Sequence, residues 1–412
     1  MKALVLAGGL PQIDLISKLK ARGIETVLAD YYENPVARAY ADRFYRISTL
    51  DVDAIRQLAI DEKVDFVITV CTDQALLTVA RVSEDLGLPC YIDYRTGRNV
   101  TNKAYMKKVF AENGILSAKY AIAGKLDEVD LAEWKYPLIV KPVDCNSSKG
   151  VRRVDDFAEL KKAFADAVNF SRTDTAIVEE YITGKELSVD VYVENGKAIV
   201  LDITTSEKLK IKDRFVIFRT WHPANISEGV DEKVGEAARR IAEAFGIKDA
   251  PMLIQMLTDG KEVYVIEFSA RTGGGVKHLS IEKMTGVDIV SAVIDLTLGQ
   301  KPHIAVRPPV AKYMVDEYIY CKPGTFDHHE GFEELKAAGI ITDYYIFQWR
   351  GAVFDSIANS GDRVGGFTIL GDSMEELRRK HEIANRRIRI VSPEGEDIMR
   401  HDLLADFDES EA

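Results

Sequence analysis

Several kinds of signal are scarce or missing in this 412-residue chain, and each absence narrows what it can be. There are only four cysteines, Cys71, Cys90, Cys145 and Cys321, with no C-x-x-C pair among them and no histidine cluster beside them at zinc-ligand spacing. They read as reduced thiols of a cytoplasmic protein. No run of about 18 apolar residues occurs, so no segment is expected to span a membrane. Residues 1–9 hold a short apolar run without the length or cleavage pattern of a signal peptide. Positive charge is in deficit, 54 Lys and Arg against 66 Asp and Glu for a net charge of −12, which argues against a nucleic-acid backbone as partner. Gly8-Gly9 lacks the further spaced glycine of a G-x-G-x-x-G dinucleotide fingerprint, although Asp30 ends the second strand where a ribose-binding acid would sit. There is no internal repeat. His328-His329 is a lone pair in a polar stretch, read as a solvated loop.

What is present is the composition of a soluble globular protein, 46% hydrophobic and 29% charged, long enough for two or three cores. Residues 1–100 alternate short aliphatic runs with amphipathic segments closed by glycine, as at Gly23 and Gly87. That alternation predicts an α/β N-terminal domain with a parallel sheet. After residue 101 the pattern changes. Residues 186–193 alternate Leu187, Val189, Val191 and Val193 on one face, and Asn195-Gly196 is a strong hairpin signal before the next strand. The expected fold is therefore the parallel-sheet domain, then α+β domains with antiparallel sheets over 101–305, including a small lid at about 115–180, then a C-terminal α+β domain over 306–412. Residues 205–226 read as a long polar connection, 302–309 as a proline-dense linker, and 406–412 as a disordered acidic tail.

The most informative stretch is 255–275. Asp259-Gly260 reads as a two-residue turn between apolar runs, which would bring Gln255 and Glu267 together across a hairpin. Glu267, Ser269 and Arg271 fall at period two, so one side of an extended segment carries a carboxylate, a hydroxyl and a guanidinium, ahead of Gly273–Gly275. Carboxylate and amide oxygens suit a hard cation such as Mg²⁺, and a nearby Arg suits a phosphate or carboxylate. Upstream, Lys103 opens a helix against the macrodipole. Lys141 ends a strand before Asn146, Ser147, Ser148, Lys149 and Gly150, a small-residue loop able to offer N–H groups and charge to phosphate oxygens. It lies between two strands, so it is not a Walker loop.

Taken in order, Lys103, Lys141 with its loop, Glu179-Glu180-Tyr181-Ile182, Gly-x-Glu at Glu186, Gln255 and Glu267-x-Ser269-x-Arg271 resemble the ATP-grasp superfamily over roughly residues 1–305. The resemblance implies that Lys103 and Lys141 contact ATP phosphates and that residues 146–150 cover them. It places Glu179, Glu180, Tyr181 and Ile182 at the adenine hinge and Glu186 on the ribose. It makes Gln255, Glu267 and Ser269 the ligands of Mg²⁺ (or Mn²⁺), and Arg271, Lys141 and Lys149 the catalytic cations. Ser269 stands where many relatives carry Asn. The Glu-Phe-Ser-Ala-Arg-Thr-Gly-Gly-Gly form, with Asn359–Gly366 resembling an Asp-Arg-Val-Gly turn, looks similar to the L-amino-acid ligase and carbamoyl-phosphate synthetase-like branch.

The implied activity is ADP-forming ligation of a small-molecule carboxylate to an amine through an acylphosphate, by a cytoplasmic homodimer without nucleic-acid or membrane partners. Two other readings remain open on the sequence: a carboxyphosphate- or carbamate-forming ligase, and a nucleotide-binding regulatory protein whose metal site is weakened at Ser269. Acceptor specificity is expected from the 208–226 region and the C-terminal domain, with His222 and Lys277 as candidate contacts.

Overall fold

The first hundred residues form four parallel strands in the computed structural model, which describes residues 1–144, 150–209 and 216–407. Their order is Arg43–Arg46, Glu25–Asp30, Lys2–Leu6, Phe66–Ile68, with Lys2 in register with Glu25 and Ala3 with Phe66. Aliphatic side chains on both faces of these strands are buried, as a parallel sheet sandwiched by helices requires. The helices are Leu10–Ala21, Val52–Asp61 and Asp73–Leu86; Asp51 caps the second and Gly87, at φ 65°, ends the third. Asp30 braces the turn beside it, accepting from Gly8 N at 2.6 Å and Tyr32 N at 2.7 Å, so its carboxylate is already engaged.

A small antiparallel sheet follows, ordered Tyr120–Ala123, Ala176–Glu180, Leu138–Pro142, Arg152–Val154, under the helix Phe157–Phe170. Leu160, Ala163, Phe164 and Ala167 form the buried stripe of that helix. The strand–loop–strand reading holds, since Leu138 pairs with Val154, but residues 145–149 of the loop lie outside the described residues.

The largest element is an eight-stranded antiparallel sheet. It runs Val263–Ser269, Ala250–Thr258, Lys185–Glu194, Lys197–Lys208, Ile217–His222, Tyr313–Ile319, Gly365–Gly371, Asp343–Ile346. Asn195 and Gly196, both at positive φ, make the expected two-residue hairpin. Strands from beyond residue 306 thus complete a sheet begun before it. Among the described residues no helix is long and apolar enough to cross a membrane.

Several expectations are corrected here. Residues 205–226 are not a long loop: Lys197–Lys208 runs on, and Ile217–His222 pairs with it, Thr205 opposite Trp221. The charged side chains Arg219 and His222, which made this stretch look exposed, are buried against acidic partners. Arg219, fully buried, lies 2.5 Å from Glu317 and 3.1 Å from Glu207. His222 sits between Asp202 at 2.5 Å and Asp316 at 3.1 Å, away from any solvent. Asp259-Gly260 is not a two-residue turn, since Thr258 pairs with Val263 and residues 259–262 make the connection. The Asp259 side chain holds that wider turn by accepting from Lys261 N and Glu262 N. His328 and His329 lie on a strand, His328–Glu330, paired with Arg389–Val391. The tail begins later than expected: Asp406 O accepts from Arg219 at 2.9 Å, and the Phe407 ring lies 4.8 Å from Trp221 and 4.6 Å from His381. Residues 408–412 lie outside the described residues.

Burial works against charge on His222, but Asp202 and Asp316 outweigh it and hold the imidazole above its ordinary value. A raised folded-state value stabilises below the unfolded value of about 6.5 and loses that contribution as pH rises through the folded one. Replacing His222 by Leu leaves two buried carboxylates without their cation and is expected to cost about 3–5 kcal/mol at pH 6. The difference from wild type in urea unfolding should shrink above neutral pH; an unchanged urea midpoint at pH 6 would contradict the buried ion triad.

Candidate active site

Two cavities meet on the large sheet. The first, of about 570 Å³, lies between the small sheet and the large one and is lined by Lys103, Lys141, Glu179, Glu180, Tyr181, Ile182 and Leu257. The second, of about 550 Å³, lies between the parallel domain, the hairpin and the C-terminal strands, and is lined by Gln12, Asp73, Arg271, Lys277, Tyr318 and Arg363. Lys103, Glu186, Ser206, Gln255 and Glu267 belong to both. The shared wall is therefore made by polar residues of the hairpin and of the next two strands of the sheet, together with the helix end that faces them.

The hairpin places these groups as its spacing predicts. Gln255 is directly opposite Glu267, with a bulge beside it between Gln255 and Met256. Lys103 opens the helix Lys103–Glu112, whose cap is Asn102, accepting from Tyr105 N at 2.9 Å. The helix end disfavours a cation there; Glu267, 3.1 Å from Lys103 Nζ, offsets that cost. Ser269 and Arg271 converge on one residue that the sequence reading missed. Asp73 accepts from the Ser269 hydroxyl and, as a bidentate pair, from Arg271 Nε at 2.7 Å and Nη2 at 2.5 Å. Burial would push the Asp73 carboxyl up, but Arg271 outweighs it and holds it below the usual range. The available signal was Thr72-Asp73 at the start of a helix, just past the carboxyl end of a parallel strand, where open α/β sheets place ligand sites.

At the other cavity, Glu179 is the buried centre of a three-charge group. Its Oε1 lies 2.8 Å from Lys107 and its Oε2 2.7 Å from Lys141. Burial opposes ionisation, yet the two lysines keep Glu179 below its usual value. Lys107, in turn, is lowered by burial. The Glu179 carboxylate thus faces the lysines, while Glu180, Tyr181 and Ile182 continue along the cavity wall. Lys107 was also missed; it follows Lys103 by one helical turn and so shares its face. Glu186 pairs with Lys208. Gly150 lies against Pro142 at φ 74°, and a Cβ there would come within 2.8 Å of that ring. Asn146, Ser147, Ser148 and Lys149 lie outside the described residues.

Of the two acceptor candidates, Lys277 lines the second cavity and His222 does not, being sealed in the sheet. Lys277 Nζ donates to Thr204 Oγ1 at 2.5 Å and lies 3.4 Å from Asp190, which also accepts from Gly273 N at 3.2 Å. Lys277 opens a helix, Lys277–Thr285, that the preceding glycine run concealed from sequence reading. Arg363 lies 3.7 Å above the Tyr318 ring and donates to Tyr320 Oη and Ile217 O. Among the described residues no carboxylate lies within ion-pair distance of it. Burial pushes the Cys71 and Cys321 thiols up to about 12, so neither supplies a thiolate at neutral pH.

No three His, Cys, Asp or Glu side chains among the described residues converge as a metal cage. A hard cation at the shared wall would instead use Glu267 with amide and hydroxyl oxygens. That donor set fits Mg²⁺, which commonly takes one or two carboxylates and completes its shell with phosphates and water.

An ATP-grasp domain model matches residues 134–279, and a model of L-amino acid ligase C-terminal domain 2 matches residues 317–392. A formate-dependent phosphoribosylglycinamide formyltransferase from Sulfurisphaera tokodaii is 27% identical over 329 residues, covering 76% of this chain and 80% of that protein. Among solved structures, the L-amino acid ligase from Bacillus licheniformis superposes with a TM-score of 0.78 at 23% identity, covering 95% of this chain and 98% of that one. The biotin carboxylase domain of Hydrogenobacter thermophilus 2-oxoglutarate carboxylase gives 0.80 at 19% identity, covering 98% and 92%. The chain thus carries an ATP-grasp domain over residues 134–279 and an L-amino acid ligase C-terminal domain 2 over residues 317–392, and it shares the fold of these solved structures.

Proposed function

We propose that the protein joins a small carboxylate to an amine at the expense of ATP, releasing ADP and phosphate. The observation that carries this reading is the meeting of the two cavities at Lys103, Gln255 and Glu267, so that a phosphoryl donor on one side and its acceptor on the other share one polar wall. ATP occupies the first cavity. Its adenine lies against the backbone of Tyr181 and Ile182 beside Glu180, its ribose reaches Glu186, and its phosphates extend towards Lys141 and Lys103.

The substrate carboxylate attacks the γ-phosphorus, the bond to the β–γ bridging oxygen breaks, and ADP leaves with that electron pair. Lys103 and Lys141 neutralise charge on the transferring group, and Arg271 does so from the second cavity, where Asp73 fixes its orientation. Mg²⁺ held by Gln255 and Glu267, with Ser269 nearby, supplies further charge neutralisation and alignment when bound. The amine then attacks the acyl carbon, the carbon–oxygen bond to phosphate breaks, and the amine proton leaves with phosphate or solvent. Gly273–Gly275 keep this wall open: a Cβ at Gly275 would come within 2.8 Å of Tyr318 Oη. Arg363 and Lys277 give the cavity an anion-binding end for the acceptor. A cytoplasmic homodimer is part of the same proposal.

Incubating the protein with ATP, Mg²⁺ and pooled carboxylates and amino acids should yield ADP, phosphate and a new amide mass. AMP with pyrophosphate, or no turnover with any pair, would sink the reading. Lys103→Ala and Glu267→Gln are each expected to lower kcat by about 100-fold or more, measured by ADP release. Glu179→Gln leaves Lys107 and Lys141 with no anion between them. Its expected effects are a loss of about 3–5 kcal/mol in stability and a KM for ATP raised about tenfold, with the smaller change in kcat.

A further inference from the structure

One aromatic pair lies at the charged end of the second cavity, and a second aromatic group stands on segments that adjoin its walls. The Arg363 guanidinium covers the Tyr318 ring, and Tyr318 and Phe347, both on the cavity wall, have ring centroids 6.2 Å apart. Just beyond Phe347, Trp349 meets Tyr32 at 5.7 Å with the rings tilted by 45°. Tyr31 stands edge-on to Tyr32 at 5.6 Å. Tyr31 and Tyr32 are 63% and 56% exposed. Single exposed aromatics are ordinary, but adjoining rings at the edge of a cavity are not.

Both supports of this aromatic group are cavity walls. The segment carrying Tyr31 and Tyr32 is tied to the loop after the first strand. Asp30 bonds both Gly8 N and Tyr32 N, and Gly8 O accepts from Ala37 N at 3.0 Å. Gly8 abuts Pro35 so closely that a Cβ would lie 2.5 Å from that ring. Its neighbours Ala7, Gly9 and Leu10 line the cavity. On the other side Gln348, also on the wall, donates to Gly361 O at 2.9 Å. The contact between Tyr32 and Trp349 therefore bridges two walls of one cavity. The adjacent cation Arg350 is paired with Asp327 at 2.7 Å, and Arg46 Nε donates to the Tyr31 carbonyl at 3.3 Å.

We propose that Tyr31, Tyr32 and Trp349 form an outer subsite that receives an apolar or aromatic group carried by the acceptor, whose anionic end lies towards Arg363. This inference rests on the carboxylate–amine ligase reading and adds a specificity element to it. Apolar contact and ring stacking discriminate by side-chain size and leave the reacting groups untouched.

Alanine, leucine and phenylalanine, offered as amine acceptors with pooled carboxylates, test the proposal. Tyr32→Ala and Trp349→Ala should each lower kcat/KM for leucine and phenylalanine about tenfold, keep alanine within about twofold, and leave the KM for ATP unchanged. Trp349→Phe should recover most of the loss. Equal losses for all three acceptors, or none, overturn the subsite. So does a change in sedimentation mass of Trp349→Ala with acceptor discrimination intact, which would make the rings a face between copies. If the wild type releases no ADP with any acceptor, the ligase reading falls and the rim is judged by saturation-transfer NMR with phenylalanine. Transfer in wild type that Trp349→Ala abolishes supports the subsite, and no transfer in wild type overturns it.

Discussion

Asp73 carries one negative charge at the start of a helix in the parallel domain, and the hairpin is organised around it. Its two oxygens take the Arg271 guanidinium in a bidentate pair and one of them also takes the Ser269 hydroxyl. Without that carboxylate the partly buried Arg271 would lose its ion-pair partner, and desolvating an unpaired guanidinium is expensive. The pair therefore fixes how the first hundred residues sit against the large sheet, and with them the second cavity. The contact between Lys103 and Glu267 does the same two residues before Ser269, from the adjoining helix. Position and charge are set together: the ion pairs that dock the elements also orient the groups facing the substrates.

The same economy appears on the nucleotide side. Lys107, Lys141 and Glu179 are nearly inaccessible, so their mutual attraction acts in a medium that screens poorly. Two cations around one carboxylate leave an excess of positive charge pointing where phosphates are proposed to lie. An anionic ligand completes that charge balance.

Much of this was legible in the sequence, for reasons that differ by element. The parallel domain showed itself through aliphatic runs ended by glycine, and the hairpin at Asn195-Gly196 through a turn that needs positive φ at both positions. Gln255, Glu267, Ser269 and Arg271 were legible because period two is fixed by the geometry of a strand. Residues 205–226 were misread because a strand's polar residues look the same whether water or buried partners satisfy them. Arg219 and His222 each take one of their two acidic partners, Glu317 and Asp316, from nearly a hundred positions away. Asp73 and Lys107 were missed for a related reason. Each gains meaning only from a partner on another element, Arg271 in one case and Glu179 in the other, and no local pattern marks such a pairing.

The eight-stranded sheet has a consequence for how the chain is made. Its fifth strand, Ile217–His222, is covered on one edge by Tyr313–Ile319, and that strand in turn by Gly365–Gly371. As the polypeptide leaves the ribosome, the parallel domain can close on local contacts alone. The plate that carries the hairpin stays open-edged, with Arg219 lacking Glu317 and His222 lacking Asp316, until the strand Tyr313–Ile319 has been synthesised. Such long-range pairing is slow and leaves an unpaired strand edge exposed meanwhile. A prematurely ended product would keep the strands on which the two cavities meet but lack the Tyr318 and Arg363 side of the second cavity.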